Sequence, residues 1–237
     1  MKHRFLTLIS SLLLLTACSD SFLERAPEGN YVDVTYYTSD DALEQATAPL
    51  YNRAWFDLNS RAIVPLGSNR ANDNFSRWGA PEFTNFKVTA LSENLANAWT
   101  GFYSVITMAN AVISDVQTKC SNSVSERAKR TAIAEARLMR ACAYFYMVRL
   151  WGPVIIIEDN DKVGANPMQP LHREEDVLEL VIRDLTYAVE NLPEVATAKG
   201  RVNAWGAKGM LAKVYLARSG WKGGTRDNAD LEKAKEL

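Results

Sequence analysis

The stretch that decides the fold is residues 134–151, which read AEARLMRACAYFYMVRLW. Apolar residues recur along it at steps of three and four, so that two faces of one helix are apolar. One face carries Ala134, Leu138, Ala141, Phe145 and Val148, and the other carries Ala136, Met139, Ala143, Met147 and Leu150. A helix that is apolar on two faces packs on both sides. The stretch therefore predicts the central helix of an all-α domain.

Further amphipathic helices are predicted on both sides of this one. Apolar residues at helical spacing follow Ser92, Glu174 and Ala204, and a last helix opens near Asn228. Small and large apolar residues alternate within neighbouring helices, which is typical of tetratricopeptide-like helical hairpins. Between the helices the sequence predicts long irregular loops, and it leaves little room for a β-sheet.

The first helix is predicted to open at Thr38-Ser39-Asp40-Asp41, where hydroxyls can cap the backbone and acids face the positive end of the helix dipole. We expect Pro49 to kink this helix or to delay its start, and the helix to end near Asn59. Residues 60 to 90 lack a helical period, because glycine and proline residues interrupt the sequence there. They are predicted to form a long irregular segment, and segments of that length are usually functional or disordered. Their aromatic residues argue against disorder.

The N-terminus reads as an export signal. A basic start precedes the apolar run Phe5–Leu15, which is shorter than the ~20 residues that span a bilayer. Leu15-Thr-Ala-Cys18 resembles the lipobox of bacterial lipoproteins. That resemblance implies a signal peptide at 1–17, an acylated Cys18 that attaches the chain to a membrane, and an extended leader over 18–37. The helical domain would then cover 38–237. An ordinary signal peptide with a chance cysteine is the alternative.

The amino-acid composition argues against several classes of function. Lys plus Arg total 27 against 28 Asp plus Glu, so no basic surface for nucleic acid is expected. The two histidines are His3, inside the signal peptide, and His172, which makes a metal site or a Ser-His-Asp triad difficult to build. No phosphate loop of the GxxxxGK[ST] kind is present. Binding without catalysis, cofactor or metal is therefore predicted. A glycosidase pair of Asp73 with Glu82 is the enzymatic alternative.

Several segments together resemble one family, the SusD/RagB nutrient-binding lipoproteins. The segments are Cys18-Ser-Asp-Ser-Phe-Leu-Glu24, Trp99-Thr-Gly-Phe-Tyr103 with Ile106 and Asn110, Ala134-Glu-Ala-Arg-Leu-Met-Arg-Ala141 with Tyr144-Phe145 and Leu150-Trp-Gly152, Ile182-Arg-Asp-Leu185 with Leu192-Pro193, and Gly200-Arg201 with Leu211-Ala-Lys-Val-Tyr-Leu216. Their order and spacing agree with the family. Family members are usually much longer, so the chain is expected to be the N-terminal half of such a protein, with the C-terminal part absent.

The resemblance implies a function. Members of the family lie on the bacterial outer membrane, lipid-anchored and facing outward, as lids over SusC-type TonB-dependent transporters. They capture oligosaccharides, or peptides in some members, and pass them on for import without cleaving them. A tetratricopeptide scaffold lipoprotein for outer-membrane complex assembly is the alternative function. A surface glycoside hydrolase is a second rival.

The candidate ligand residues lie between Gly67 and Phe86, where aromatic and short polar side chains interleave outside any helical period. Sugar rings offer apolar faces and hydroxyl rims, which flat aromatics and Asn, Asp and Arg side chains suit. We expect Trp78 to stack on the ligand, with Arg70, Asp73 and Asn74 bonding around it. Anchoring of the aromatics against the helices is the alternative for each residue.

Two further pairs of residues receive structural interpretations. Glu135 and Arg140 of the central stretch are expected to form buried structural pairs or to hold a loop, although a polar site between helices is the functional alternative. Cys120 and Cys142 could pair in an oxidising compartment, but two cysteines make no disulfide framework. A buried, unreactive thiol is the favoured interpretation of Cys142.

The anchor prediction can be tested directly. Cys18→Ala should abolish acylation and move the protein to the soluble fraction, because each buried CH₂ of an acyl chain contributes about 0.8 kcal/mol to membrane affinity. Fatty-acid labelling followed by fractionation measures both effects, with Cys120→Ala as the matched control that should stay membrane-bound. A Cys18→Ala protein that remains labelled and in the membrane would contradict the lipoprotein interpretation.

Overall fold

The computed structural model describes residues 37–52, 55, 58–71, 73, 80–166, 168–221 and 225–237. In chain order its helices are α1 (Asp40–Thr47), α2 (Pro81–Thr84), α3 (Glu93–Lys119), α4 (Glu126–Trp151), α5 (Asn160–Ala165), α6 (Glu174–Asn191), α7 (Ala204–Ser219) and α8 (Asn228–Glu236), with a 3₁₀ turn at Ala48–Tyr51 and a π-helix at Leu58–Asn69. The described residues contain no strand; an isolated antiparallel bridge joins Val154 to His172. The predicted all-α class is confirmed.

Side-chain caps fix where several helices begin. Ser39 accepts a hydrogen bond from the Ala42 amide at 3.2 Å at the start of α1, as the opening Thr-Ser-Asp-Asp predicts. Ser125 caps α4 in the same way, and Asn203 caps α7. Gly152 ends α4 with a φ of +74°, a left-handed conformation that glycine adopts without strain.

Two predictions about the first third of the chain were wrong in detail. The first helix does not run to Asn59, because regular α geometry ends at Thr47 and Pro49 lies in the 3₁₀ turn that follows. Residues 60 to 90 are not irregular throughout, since a π-helix covers Leu58–Asn69 and α2 covers four more residues. A π-helix bonds over five residues, so a search for the 3.6-residue period misses it, and Pro65 inside it reads as a breaker.

The core is built around α4. Both α3 and α6 pack against it, α7 packs against α6, and α8 packs against α7. The residues predicted for its two apolar faces are all buried except Leu150, and Tyr144 and Phe145 are fully buried. Successive antiparallel neighbours of this kind are the helical hairpins that the sequence predicts. None of the described helices is both long enough and apolar enough to cross a bilayer.

The two described cysteines are free. Burial raises the pKa of the Cys142 thiol to about 12, which keeps it protonated and unreactive at neutral pH. The interpretation of Cys142 as an unreactive thiol is therefore supported, although the residue is half-buried and not fully buried. Cys120, at the end of α3, is more exposed, and burial raises its pKa as well.

A buried guanidinium joins the three central helices. Arg140 of α4 donates from Nε and Nη2 to both carboxylate oxygens of Asp184 on α6, at 2.7 and 2.9 Å. Its Nη1 donates to Asn110 Oδ1 on α3 at 2.7 Å. Burial lowers the pKa of Arg140, but its hydrogen bonds and ion pair with Asp184 outweigh that effect and leave the pKa above its ordinary value. The structural interpretation of Arg140 is confirmed.

The segment that follows α4, which we call the strap (residues 154–157), has its backbone bonded by side chains. The Ile155 amide donates to Tyr103 Oη at 3.0 Å, and the Ile157 amide donates to Tyr144 Oη at 2.7 Å. In return Tyr103 Oη donates to the Ile155 carbonyl at 2.8 Å. Its bridge to His172 is isolated, so most of its backbone groups must be satisfied by side chains. Tyr103 of α3 and Tyr144 of α4 therefore help to position the strap.

Removing one partner of the buried pair should destabilise the fold strongly. Asp184→Asn removes the bidentate countercharge of the buried Arg140 and leaves only Glu158, at 4.0 Å. Breaking a buried pair typically costs 3–5 kcal/mol of unfolding free energy, so a loss of about 3 kcal/mol is expected. Urea denaturation measures it. Asp176→Asn, which removes an exposed ion pair with Arg173, is the matched control and should change stability little. Similar, small losses in both variants would contradict the structural role of Arg140.

Candidate functional site

The predicted ligand residues fall on both sides of a gap in the described chain. Arg70 and Asp73 are described and exposed, while Asn74 and Trp78 lie outside the described residues, as does Cys18. Arg70 directly follows the π-helix, and the Asp73 amide donates to the Ser68 carbonyl at 3.3 Å. This bond spans five residues, the spacing of the π-helix that precedes it.

A second element brings an exposed aromatic residue to Arg70. The short helix α2 is anchored by Phe83, which is buried, and is followed by Phe86, which is 60% exposed. The guanidinium carbon of Arg70 lies 4.4 Å from the centroid of the Phe86 ring. Such cation–π contacts stabilise by about 0.5–1 kcal/mol at exposed sites. Arg70 and Phe86 thus form a small aromatic and cationic surface, which we call the Arg70–Phe86 surface.

The backbone of Phe86 is strained. Its φ is +57°, in the left-handed region that bulky residues rarely adopt. The Phe86 amide donates to the Phe83 carbonyl and the Lys87 amide donates to the Glu82 carbonyl, at 3.4 and 2.8 Å. These two bonds form the Schellman motif that ends many helices, in which glycine usually occupies the left-handed position. Ala80, on the other side of α2, is also left-handed, with φ +53°.

Phe86 is the residue that sequence reasoning missed. It closes the stretch that the composition singles out, but nothing in the local sequence, which lacks glycine after α2, marks a Schellman motif there. A left-handed phenylalanine costs about 1–2 kcal/mol relative to a relaxed backbone. Strain of this kind persists where the surrounding structure imposes it and clusters at ligand-binding positions. Phe86 is therefore a candidate ligand contact in its own right.

A second polar cluster is structural in character. Arg201, before α7, donates from Nη1 to Glu135 Oε2 of α4 at 2.8 Å and to Thr47 Oγ1 of α1 at 2.6 Å. Its Nη2 also donates to the Glu44 carbonyl, and its guanidinium lies 5.3 Å from the Tyr51 ring centroid. Burial, followed by the Glu135 charge, raises the pKa of Tyr51 well above its ordinary value. The expectation that Glu135 forms a structural pair is confirmed.

This cluster borders a cavity of about 250 Å³ between α1 and α4. Every hydrogen-bonding nitrogen of Arg201 has an acceptor, since Nε also faces Glu44 Oε1 at 3.2 Å. Of the five guanidinium N–H donors, these contacts engage four, so Arg201 is used mainly to join α1 and α4 to the segment before α7. In the described part of the chain, no group of three or more His, Cys, Asp and Glu residues is arranged to hold a metal ion.

A family model matches most of the chain. The SusD-like model described as "Starch-binding associating with outer membrane" covers residues 21–216. The chain belongs to the SusD-like family. A SusD-like protein of Bacteroides ovatus is 66% identical over 237 residues, which are 100% of this chain and 43% of that protein. SusD-like protein P25 of Formosa agariphila is 25% identical over 240 residues, which cover 92% of this chain and 44% of P25.

Solved structures of SusD-like proteins share the fold. A crystal structure with a xylogluco-oligosaccharide, at 66% sequence identity, aligns with a TM-score of 0.76 over 82% of this chain and 39% of that chain. A SusD homologue of Bacteroides thetaiotaomicron, at 22% identity, aligns with a TM-score of 0.70 over 86% of this chain and 40% of its own. The chain therefore spans less than half the length of its relatives, and the fit to the N-terminal half is confirmed.

Relief of the strain at Phe86 should be measurable. Phe86→Gly is expected to keep or raise the unfolding free energy, by up to about 1 kcal/mol, because glycine adopts positive φ at no steric cost. Loss of the Arg70 contact offsets part of this gain. The matched control is Phe83→Ala, which should lower stability by about 3 kcal/mol or more because that ring is buried. A Phe86→Gly protein as unstable as Phe83→Ala would show that Phe86 is a core residue.

Proposed function

We propose that the chain is part of a nutrient-binding lipoprotein of the bacterial outer membrane that captures oligosaccharides and passes them to a SusC-type TonB-dependent transporter. The observation that carries this proposal is the 66% identity to the protein whose crystal structure contains a xylogluco-oligosaccharide. At that identity the same class of ligand, a branched glucan oligosaccharide, is the first to test. Lipidation at Cys18 and an outward-facing position on the cell belong to the same proposal.

The Arg70–Phe86 surface suits such a ligand. The apolar face of a pyranose ring packs on a flat aromatic ring, and the equatorial hydroxyls at its rim need donors and acceptors nearby. Phe86 supplies the exposed ring, and Arg70 supplies several guanidinium donors. Asp73, exposed three residues after Arg70, supplies an acceptor. We propose that these residues bind ligand together with Asn74 and Trp78 of the same stretch.

Two observations favour binding over the rival functions, a glycoside hydrolase and a tetratricopeptide scaffold. The buried carboxylates of Asp184 and Glu135 are bonded to Arg140 and Arg201, so neither of these two acids is available for hydrolysis. A tetratricopeptide scaffold would bind through its helix grooves and would gain nothing from a strained, exposed aromatic residue at the end of α2. Import of an intact oligosaccharide also requires that the binding protein does not cleave it.

Calorimetric titration of the full-length mature protein tests this function. We expect binding of xylogluco-oligosaccharides, with Trp78→Ala weakening affinity about thirtyfold, as truncation of a central aromatic anchor commonly does. Phe86→Ala should weaken it about tenfold through loss of a smaller contact. Trp151→Ala is the control: its ring packs edge-on against Trp99 and Phe102, so stability should fall while affinity stays unchanged.

The panel should include peptides and unbranched glucans, and a reducing-sugar assay should accompany it. Binding of peptides alone would contradict the oligosaccharide ligand, and release of new reducing ends would contradict the non-catalytic function. Unchanged affinity in both aromatic variants would move the site away from residues 67–86. Recovery of a TonB-dependent transporter with the intact protein from the cell surface tests the proposed partner separately from the ligand.

A further inference from the structure

One backbone amide of the strap donates its hydrogen bond to a titratable side chain. The Ile156 amide donates to Nδ1 of His172 at 3.1 Å, while the His172 amide donates to the Val154 carbonyl at 2.8 Å. An imidazole nitrogen accepts a hydrogen bond only when it carries no proton. The Ile156 amide therefore has an acceptor only while the imidazole is neutral and carries its proton on Nε2.

We propose that His172 is a pH-sensitive latch that holds the strap when its imidazole is neutral and releases the Ile156 amide when Nδ1 takes up a proton. Imidazole is the side chain that changes charge between about pH 5 and 8. A proton on Nδ1 would face the Ile156 N–H, so that two donors point at each other. His172 is half-buried, so the proton can reach the ring from solvent.

The neighbouring charges do not replace the lost bond. On α6 the charged group that interacts with His172 is Asp176, and its carboxylate is already bonded to Arg173 at 2.9 and 3.1 Å. At the far end of the strap Glu158 pairs with Arg183 and lies 4.0 Å from Arg140. On α3 and α4 the strap faces the hydroxyls of Tyr103 and Tyr144, which are uncharged.

The strap is connected through Asn110 to a surface groove. Asn110 Nδ2 donates to the Ile157 carbonyl at 2.9 Å and to Asn160 Oδ1 at 3.2 Å. Asn110, Glu158 and Asn160 line a groove of about 580 Å³ between α3 and the start of α5. The strap does not line this groove itself, but it leads directly into Glu158 and its Ile157 carbonyl is bonded to Asn110. Loosening the strap at Ile156 therefore loosens the support of two lining residues. The latch thus links protonation of one histidine to the shape of this surface.

Amide hydrogen exchange of the full-length mature protein, read by NMR at Ile155, Ile156 and Ile157, tests the latch. The flanking amides are internal references, because both donate to tyrosine hydroxyls. Burial raises the pKa of Tyr103 to about 12 and that of Tyr144 further, so neither titrates in the range used. Between about pH 7.5 and about pH 5, the exchange rate of Ile156 relative to Ile155 should rise about fivefold, as expected for loss of one hydrogen bond.

Two variants complete the test. His172→Asn keeps an acceptor oxygen near the Nδ1 position but does not titrate, so its Ile156-to-Ile155 ratio should not change with pH. His172→Phe removes the acceptor and should show the high ratio at both pH values. A wild-type ratio that does not change with pH overturns the latch, even if a variant fails to fold. An equal pH response in wild type and His172→Asn also overturns it, because another group must then be titrating.

Discussion

The arrangement of the helices depends on the buried guanidinium of Arg140. A charge removed from water must be neutralised and hydrogen-bonded or it is costly, and Arg140 meets that requirement only when Asp184 and Asn110 are both in place. Those partners lie on α6 and α3, on either side of α4 in the chain. Apolar packing alone tolerates small slips of one helix along another, whereas a bidentate pair does not. The interaction therefore fixes the register of three helices at once.

The same network continues into the strap. Asn110 accepts from Arg140 with its amide oxygen and donates to the Ile157 carbonyl with its amide nitrogen. Tyr103 and Tyr144 continue the pattern by bonding backbone groups of Ile155 and Ile157. Apart from the isolated bridge between Val154 and His172, the position of the strap therefore follows from side chains that α3 and α4 present. The exceptions are the Val154 carbonyl and the Ile156 amide, which are both bonded by His172, a residue outside those helices.

The sequence predicts the regular part of this structure well and the rest poorly, for physical reasons. Apolar periodicity locates α3, α4, α6 and α7, and side-chain caps mark the starts of α4 and α7, because both signals are local. The π-helix has a different period, and the pairing of Glu135 with Arg201 depends on residues 66 positions apart. The left-handed backbone of Phe86 is imposed by the turn around α2 and has no counterpart in the side-chain pattern. Candidate ligand positions are thus predicted as a stretch, and individual contacts are not.

The strained backbone of Phe86 lies outside the helices that form the core. Such an arrangement suits a binding protein. The helical hairpins bury their polar groups in satisfied clusters and gain stability from apolar packing, so they can support a local cost elsewhere. That cost falls at the end of α2, where a phenylalanine occupies the position in which glycine would relax the backbone. Glycine there would leave no ring for Arg70 to contact and no apolar face for a ligand. A left-handed aromatic residue is therefore better explained by what it presents to solvent than by any contribution to folding.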